Sequence, residues 1–143
     1  MSKGEKAEAL FMQGYNCSQA VACAFADELD MNAADIARLT MGFGGGIGRM
    51  REVCGSVSGM AFVISALFAD EGRASVYEKI QAVAEKFEVE NGSIICRELL
   101  GLDKDGNRCP TPEPRTEQYF KKRPCSQLVH MAADILEEFL NNL

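Results

Sequence analysis

Apolar residues recur at intervals of three and four along most of this chain, and no strand-like alternation lasts more than a few residues. The clearest example is Val76, Ile80, Val83 and Phe87, with charged residues between them. Such spacing places apolar side chains on one face of an α-helix. Because 143 residues is also an ordinary length for one domain, the sequence predicts a single all-α domain over residues 1–143.

Breaks between the periodic segments predict a compact bundle of about six to seven helices. The run Gly42–Gly48 is too rich in glycine to be helical, and Asp103–Pro114 carries three prolines, so both are predicted to be loops. The segment that begins at Cys54 is apolar almost all round, which indicates a buried central helix. The predicted helices are 5–13, 17–29, 33–41, 54–69, 73–89, 94–100 and a C-terminal helix from 124.

Four of the six cysteines fall at predicted helix starts: Cys17, Cys54, Cys96 and Cys125. The first turn of a helix offers unpaired N–H groups and the positive end of the helix dipole, and both favour a thiolate over a thiol. Six cysteines are also many for a reducing compartment, where cysteines more often serve metals or catalysis than structural disulfides. The pattern indicates thiol-based redox or metal-cluster chemistry.

Helix ends alone cannot hold four converging thiolates. A helix terminus stabilises an anion by about 0.3 to 1 kcal/mol, whereas two thiolates about 4 Å apart repel by about 4 kcal/mol at an effective dielectric near 20. A converged site therefore needs a bound cation or an iron–sulfur core, pairwise disulfides, or thiols that stay protonated. The spacing of the four contains no Cys-x-x-Cys and no zinc-ribbon or ferredoxin run, so burial as small apolar side chains stays an alternative.

Short motifs around these cysteines resemble the C_GCAxxG_C_C family of redox-active proteins. They are Gly14-Tyr-Asn-Cys17, Cys54-Gly-Ser-Val-Ser-Gly59, Cys96-Arg-Glu-Leu-Leu-Gly101 and Arg123-Pro-Cys125. The resemblance covers nearly the whole chain, with the four signature cysteines in the family's order. Cys54, Gly55 and Gly59 correspond to the central motif, in which Ser56 replaces the family's alanine.

The resemblance implies a redox role in a small bacterial protein, with the four cysteines and the motif glycines Gly55 and Gly59 holding a cofactor. A similar domain in split-Soret-type cytochromes favours an iron–sulfur cluster that passes single electrons to and from a redox partner protein. A thiol–disulfide oxidoreductase and a structural zinc-binding helical module without turnover are the alternatives. No catalytic residue is assigned, and whether the protein is an enzyme is left open.

Charge and hydropathy limit the partners. The net charge of −6 argues against nucleic acid or an anionic membrane surface. The N-terminus lacks the apolar core of a signal peptide, and no run of about 18 apolar residues exists, so a cytoplasmic location is expected. The apolar helix from Cys54 needs cover either from its own chain or from a second copy, and the second case gives a homodimer.

Several neighbouring residues are assigned secondary roles. The run Gly42–Gly48 is expected to let backbone approach Cys54 and donate hydrogen bonds to sulfur, or else to be a plain turn; phosphate binding is less favoured because the P-loop residues are missing. Arg49 and Arg51 precede Cys54, and Lys122 and Arg123 precede Cys125, so positive charge could lower the pKa of those thiols. Cys23, Cys109 and His130 are predicted to lie outside the site.

Overall fold

The computed structural model describes all 143 residues and contains nine α-helices and no β-strand. The all-α prediction is therefore confirmed. No helix combines the length and the apolar character needed to cross a bilayer. The helices are α1 Lys3–Met12, α2 Cys17–Cys23, α3 Ala26–Leu29, α4 Ala33–Thr40, α5 Gly55–Phe68, α6 Arg73–Asn91, α7 Cys96–Leu99, α8 Glu117–Lys122 and α9 Cys125–Asn141.

The helix count differs from the prediction of six to seven. Six helices have seven residues or more, and three are shorter. The predicted helix 17–29 is two helices, because the chain leaves the helical conformation at Phe25, whose side chain is fully buried. Helix α8 is a second helix beyond those predicted, and Thr116 caps it by accepting a hydrogen bond from the backbone of Tyr119.

Helix α5 lies in the middle of the bundle and packs against α2, α6 and α9, while α1 packs along α9. Two glycines allow α2 to lie close to α5. A Cβ atom at Gly55 would stand 3.1 Å from Cys17 Cβ, and one at Gly59 would stand 2.9 Å from Val21 Cβ. The motif glycines therefore set the helix crossing that brings Cys17 next to the start of α5.

The glycine-rich loop adopts an unusual left-handed backbone. Five consecutive residues from Gly45 to Arg49 have φ between 55° and 73°, and Arg51 has φ of 63°. Hydrogen bonds close the turn, among them Gly48 N–H to Gly42 O at 2.8 Å and Glu52 N–H to Gly46 O at 2.9 Å. Because an L-residue in this conformation costs about 1 to 2 kcal/mol, the non-glycine residues here carry backbone strain.

Candidate redox site

The four signature cysteines line one cavity of about 420 Å³, called here the redox cavity. Cys17, Cys96 and Cys125 are the first residues of α2, α7 and α9, and Cys54 is the residue just before α5. The predicted helix-start positions are therefore present for all four. Cys54 and Cys96 are buried, whereas Cys17 and Cys125 are partly exposed.

Backbone hydrogen bonds hold Cys54 and Cys96 side by side. Cys54 N–H donates to Ile94 O at 2.8 Å, and Cys96 N–H donates to Glu52 O at 2.6 Å. They flank an isolated antiparallel bridge between Val53 and Ile95. Two cysteines that are distant in sequence thus reach one cavity through a short, locally paired stretch of backbone.

Cys17 and Cys125 form a hydrogen-bonded pair of thiols. This hydrogen bond is the largest cause that lowers the pKa of Cys125 to about 7, and nearby Arg123 and Tyr119 act in the same direction. The same hydrogen bond, together with burial and the other cysteines, raises the pKa of Cys17 well above its ordinary value. Cys125 is therefore the more readily ionised thiol of the pair, and Cys17 is the hydrogen-bond donor to its thiolate form.

The two buried cysteines favour the thiol form. Burial raises the pKa of Cys54 to about 11, although the backbone and hydroxyl of Ser56 oppose the shift. The Ser56 side chain is itself fully buried. Burial also raises the pKa of Cys96, opposed by Arg51, whose Nη1 lies 3.7 Å from Cys96 Sγ.

Four arginines also line the redox cavity, and they are named here the arginine cluster: Arg49, Arg51, Arg115 and Arg123. Glu113 is the one carboxylate in the lining, and it pairs with Arg123. The cavity therefore carries an excess of positive charge. The prediction that Arg49 and Arg51 lower the pKa of Cys54 is wrong, because burial raises this pKa and Arg51 faces Cys96 instead. Arg123 does lower the pKa of Cys125, as predicted, whereas Lys122 does not line the cavity.

Sequence reasoning missed Arg115 and Tyr119. Arg115 donates to Tyr15 O at 2.6 Å and to Phe11 O, and its guanidinium lies 4.0 Å from the centre of the Phe11 ring. Tyr119 faces the cavity from α8, and burial raises its pKa to about 12. The one local signal for Tyr119 was the Thr116 cap, which predicts a helix start three residues earlier.

A family model described as "Putative redox-active protein (C_GCAxxG_C_C)" matches residues 15–139. The chain belongs to the C_GCAxxG_C_C family. No curated protein and no solved structure is significantly similar to it. The description of the C_GCAxxG_C_C family indicates a redox-active protein, and the matched range includes all four cysteines of the redox cavity.

Cys23, Cys109 and His130 are not among the residues that line the redox cavity. Cys23 is buried in the apolar core, Cys109 is exposed, and His130 lies between Glu8 and Asp134, at 3.1 Å from a carboxylate oxygen of each. Of the two motif glycines, Gly55 lines the cavity and Gly59 does not. No group of three Cys, His, Asp or Glu side chains is arranged to hold a single metal ion.

Proposed function

We propose that this redox protein holds an iron–sulfur cluster on Cys17, Cys54, Cys96 and Cys125 and transfers single electrons to and from a partner protein. The observation that carries the proposal is the arrival of four cysteines from four separate helix starts at one cavity. A dithiol enzyme needs two cysteines, and the other two would then be buried thiols without a task. Four thiolates are the usual ligand set of [2Fe–2S] and [4Fe–4S] clusters.

The arginine cluster supplies the counter-charge that such a ligand set requires. Four thiolates bound to an iron–sulfur core carry net negative charge, and helix ends alone offset too little of the repulsion. Four arginines against one glutamate in the cavity lining offset it further. Arg51 is the most direct contributor, because it is buried and its guanidinium approaches Cys96.

The arrangement of donors favours a cluster over a single zinc ion. Zinc–thiolate bonds of about 2.3 Å bring four sulfurs close around one point, and no such group is present among the side chains. A cluster distributes its four ligands over several metal atoms, so the four sulfurs need not meet around one point. When bound, it supplies reversible one-electron chemistry, with a potential set by charge, hydrogen bonds to sulfur and solvent exposure.

Anaerobic purification followed by iron and labile-sulfide analysis tests the proposal. We expect a coloured protein with stoichiometric iron and sulfide. Single Cys→Ser variants at the four positions should lose most of the iron, whereas Cys109→Ser is the matched control, because Cys109 is exposed and outside the cavity lining. Colourless, iron-free wild-type protein under these conditions would refute the cluster.

The hydrogen bond between Cys17 and Cys125 supports a second candidate function, thiol–disulfide exchange. The Cys125 thiolate would attack one sulfur of a partner disulfide and release a partner thiolate. This step joins Cys125 Sγ to the partner in a mixed disulfide. The Cys17 thiol would pass its proton to the released partner thiolate, attack Cys125 Sγ, displace the other partner sulfur as a thiolate and close the Cys17–Cys125 disulfide. Two electrons pass to the partner, which becomes a dithiol once its second thiolate takes a proton from solvent.

A redox titration of the iron-free protein separates the two candidates. Exchange predicts one two-electron couple that disappears in both Cys17→Ser and Cys125→Ser but survives in Cys109→Ser. The absence of any disulfide between Cys17 and Cys125 across the titration would eliminate thiol–disulfide exchange and leave the cluster proposal untouched.

A further inference from the structure

The loop that carries Arg49 and Arg51 presents hydrogen-bond donors to the redox cavity that no protein group accepts. Arg49 Nη2 and Arg51 Nη2 are buried and have no hydrogen-bond partner. The backbone N–H groups of Gly45 and Gly46 are also absent from the hydrogen bonds that close the turn. All four residues line the same cavity.

Neither guanidinium has a carboxylate partner. Arg51 is only 4% exposed, and its Nε donates to Asn107 O at 2.8 Å while Nη1 faces Cys96. Arg49 uses only Nε, which donates to Cys109 O. The one carboxylate in the cavity lining, Glu113, is paired with Arg123. Two adjacent cations are therefore held partly desolvated without an anion between them.

Such an arrangement is costly unless something occupies it. Buried polar groups in folded proteins are nearly always hydrogen-bonded, and charged donors most of all. Burial and the charge of Arg51 lower the pKa of Arg49, and the charge of Glu113 offsets these effects only in part. Backbone strain at Ile47, Arg49 and Arg51 adds to the cost, and strained backbone of this kind concentrates at ligand sites.

We propose that this loop binds a small tetrahedral oxyanion, of the size of sulfate or phosphate, beside the cysteines. Arg49 Nη2, Arg51 Nη2 and the N–H groups of Gly45 and Gly46 are its donors. Hydrogen bonds from a guanidinium to an oxyanion are stronger than hydrogen bonds between neutral groups. None of its donors is a cysteine, so the site can be tested in iron-free protein, although Arg49 and Arg51 also line the cavity of the proposed cluster.

Isothermal titration of reduced, iron-free wild-type protein with inorganic phosphate, at ionic strength held constant with chloride, tests this site. We expect saturable binding with one phosphate per chain. Arg49→Gln should weaken binding by about tenfold or more, because it removes a charged donor. Arg38→Gln is the matched control, because Arg38 is exposed on α4 and outside the cavity lining, and it should bind as wild type does.

Arg51→Gln tests the buried donor independently, and circular dichroism checks that this variant folds. If Arg51→Gln does not fold, Arg49→Gln alone decides the test. No saturable phosphate binding by the wild type, or equal loss in Arg49→Gln and Arg38→Gln, overturns the proposal. Iron analysis of the same preparations keeps the cluster question separate. If cluster-loaded protein no longer binds phosphate, the four donors belong to the cluster sulfurs and a separate oxyanion site is overturned.

Discussion

Gly46 is the residue whose substitution tests the redox-site geometry most directly. It lies in the left-handed turn with φ of 73°, and an added Cβ would stand 2.6 Å from Glu52 N and 2.7 Å from Cys96 Cβ. The neighbours are backbone and the root of a side chain, so neither can move aside by a simple rotamer change. Gly46→Ala should therefore displace the Cys96 segment.

Two separate costs enter the expected loss of stability. An L-residue in the left-handed region costs about 1 to 2 kcal/mol, and forcing an extra methyl into a packed site costs about 1 to 3 kcal/mol. We expect Gly46→Ala to lower the free energy of unfolding by about 2 to 5 kcal/mol. For a domain of this size each kcal/mol lowers the melting temperature by about 2 to 4 °C.

Gly48→Ala is the matched control for Gly46→Ala. Gly48 has φ of 55° in the same turn, but an added Cβ there meets nothing within 4 Å. The free energy of unfolding of Gly48→Ala should fall only by the conformational cost of about 1 to 2 kcal/mol. Urea unfolding of both variants in the reduced, iron-free form measures the difference, and alkylation followed by mass spectrometry reports whether Cys96 becomes reactive in Gly46→Ala alone.

Equal destabilisation of the two variants would refute the close approach of Gly46 to Cys96. If Cys96 stays unreactive toward alkylation in Gly46→Ala, the close approach is refuted even if the stability of that variant falls. The conformational cost would then explain the whole effect, and the loop would have no part in positioning the thiol.

Three further changes probe the thiols and their support. Cys17→Ala should raise the pKa of Cys125 from about 7, and the pH profile of Cys125 alkylation should shift to higher pH; an unchanged profile would rule out the hydrogen bond. The pKa of Cys54 is raised in the folded protein from 9.0 to about 11. The Cys54 thiol therefore makes its full contribution to the free energy of unfolding below pH 9, and this contribution is lost as the pH rises through 11. Ser56→Ala should raise this pKa further without loss of stability at pH 7, as pH-dependent urea unfolding would show. Arg115→Gln should cost about 1 to 3 kcal/mol in urea, because two backbone carbonyls lose a charged donor; a loss below 0.5 kcal/mol, the usual range for surface substitutions, would contradict that role.

The placement of the four cysteines at helix starts could be predicted because it depends on local sequence. Asn16 caps α2, and Pro124 directly precedes α9, so the positions of Cys17 and Cys125 follow from residues beside them. The central position of α5 follows from its apolar composition in the same way. The apolar periodicity did not predict the end of α2, because the buried side chain of Phe25 continues the pattern although the helix has ended.

The rest of the site depends on contacts between distant residues, which no local pattern encodes. Arg115 reaches Tyr15 across 100 positions, and Arg51 reaches Cys96 across 45. The left-handed turn could not be predicted from the sequence either. Glycines predict an irregular loop, but they do not predict that Ile47 also adopts a positive φ. Sequence reasoning could therefore name the thiols and could not identify what neutralises them.

The charge balance of the redox cavity shows why an occupant is needed. The pKa is lowered for the Cys125 thiol and raised for the other three, so the cluster-free protein holds few thiolates in this cavity at pH 7. The arginine cluster is then in excess over Glu113. Ligation of all four cysteines would remove their protons and reverse that balance, so the arginines would stabilise the cluster-loaded protein more than the cluster-free protein. Loading should therefore raise the unfolding midpoint, since a ligand bound only by the folded state adds its binding free energy to stability. Cluster reconstitution that leaves the midpoint unchanged would show that the arginine cluster serves another anion.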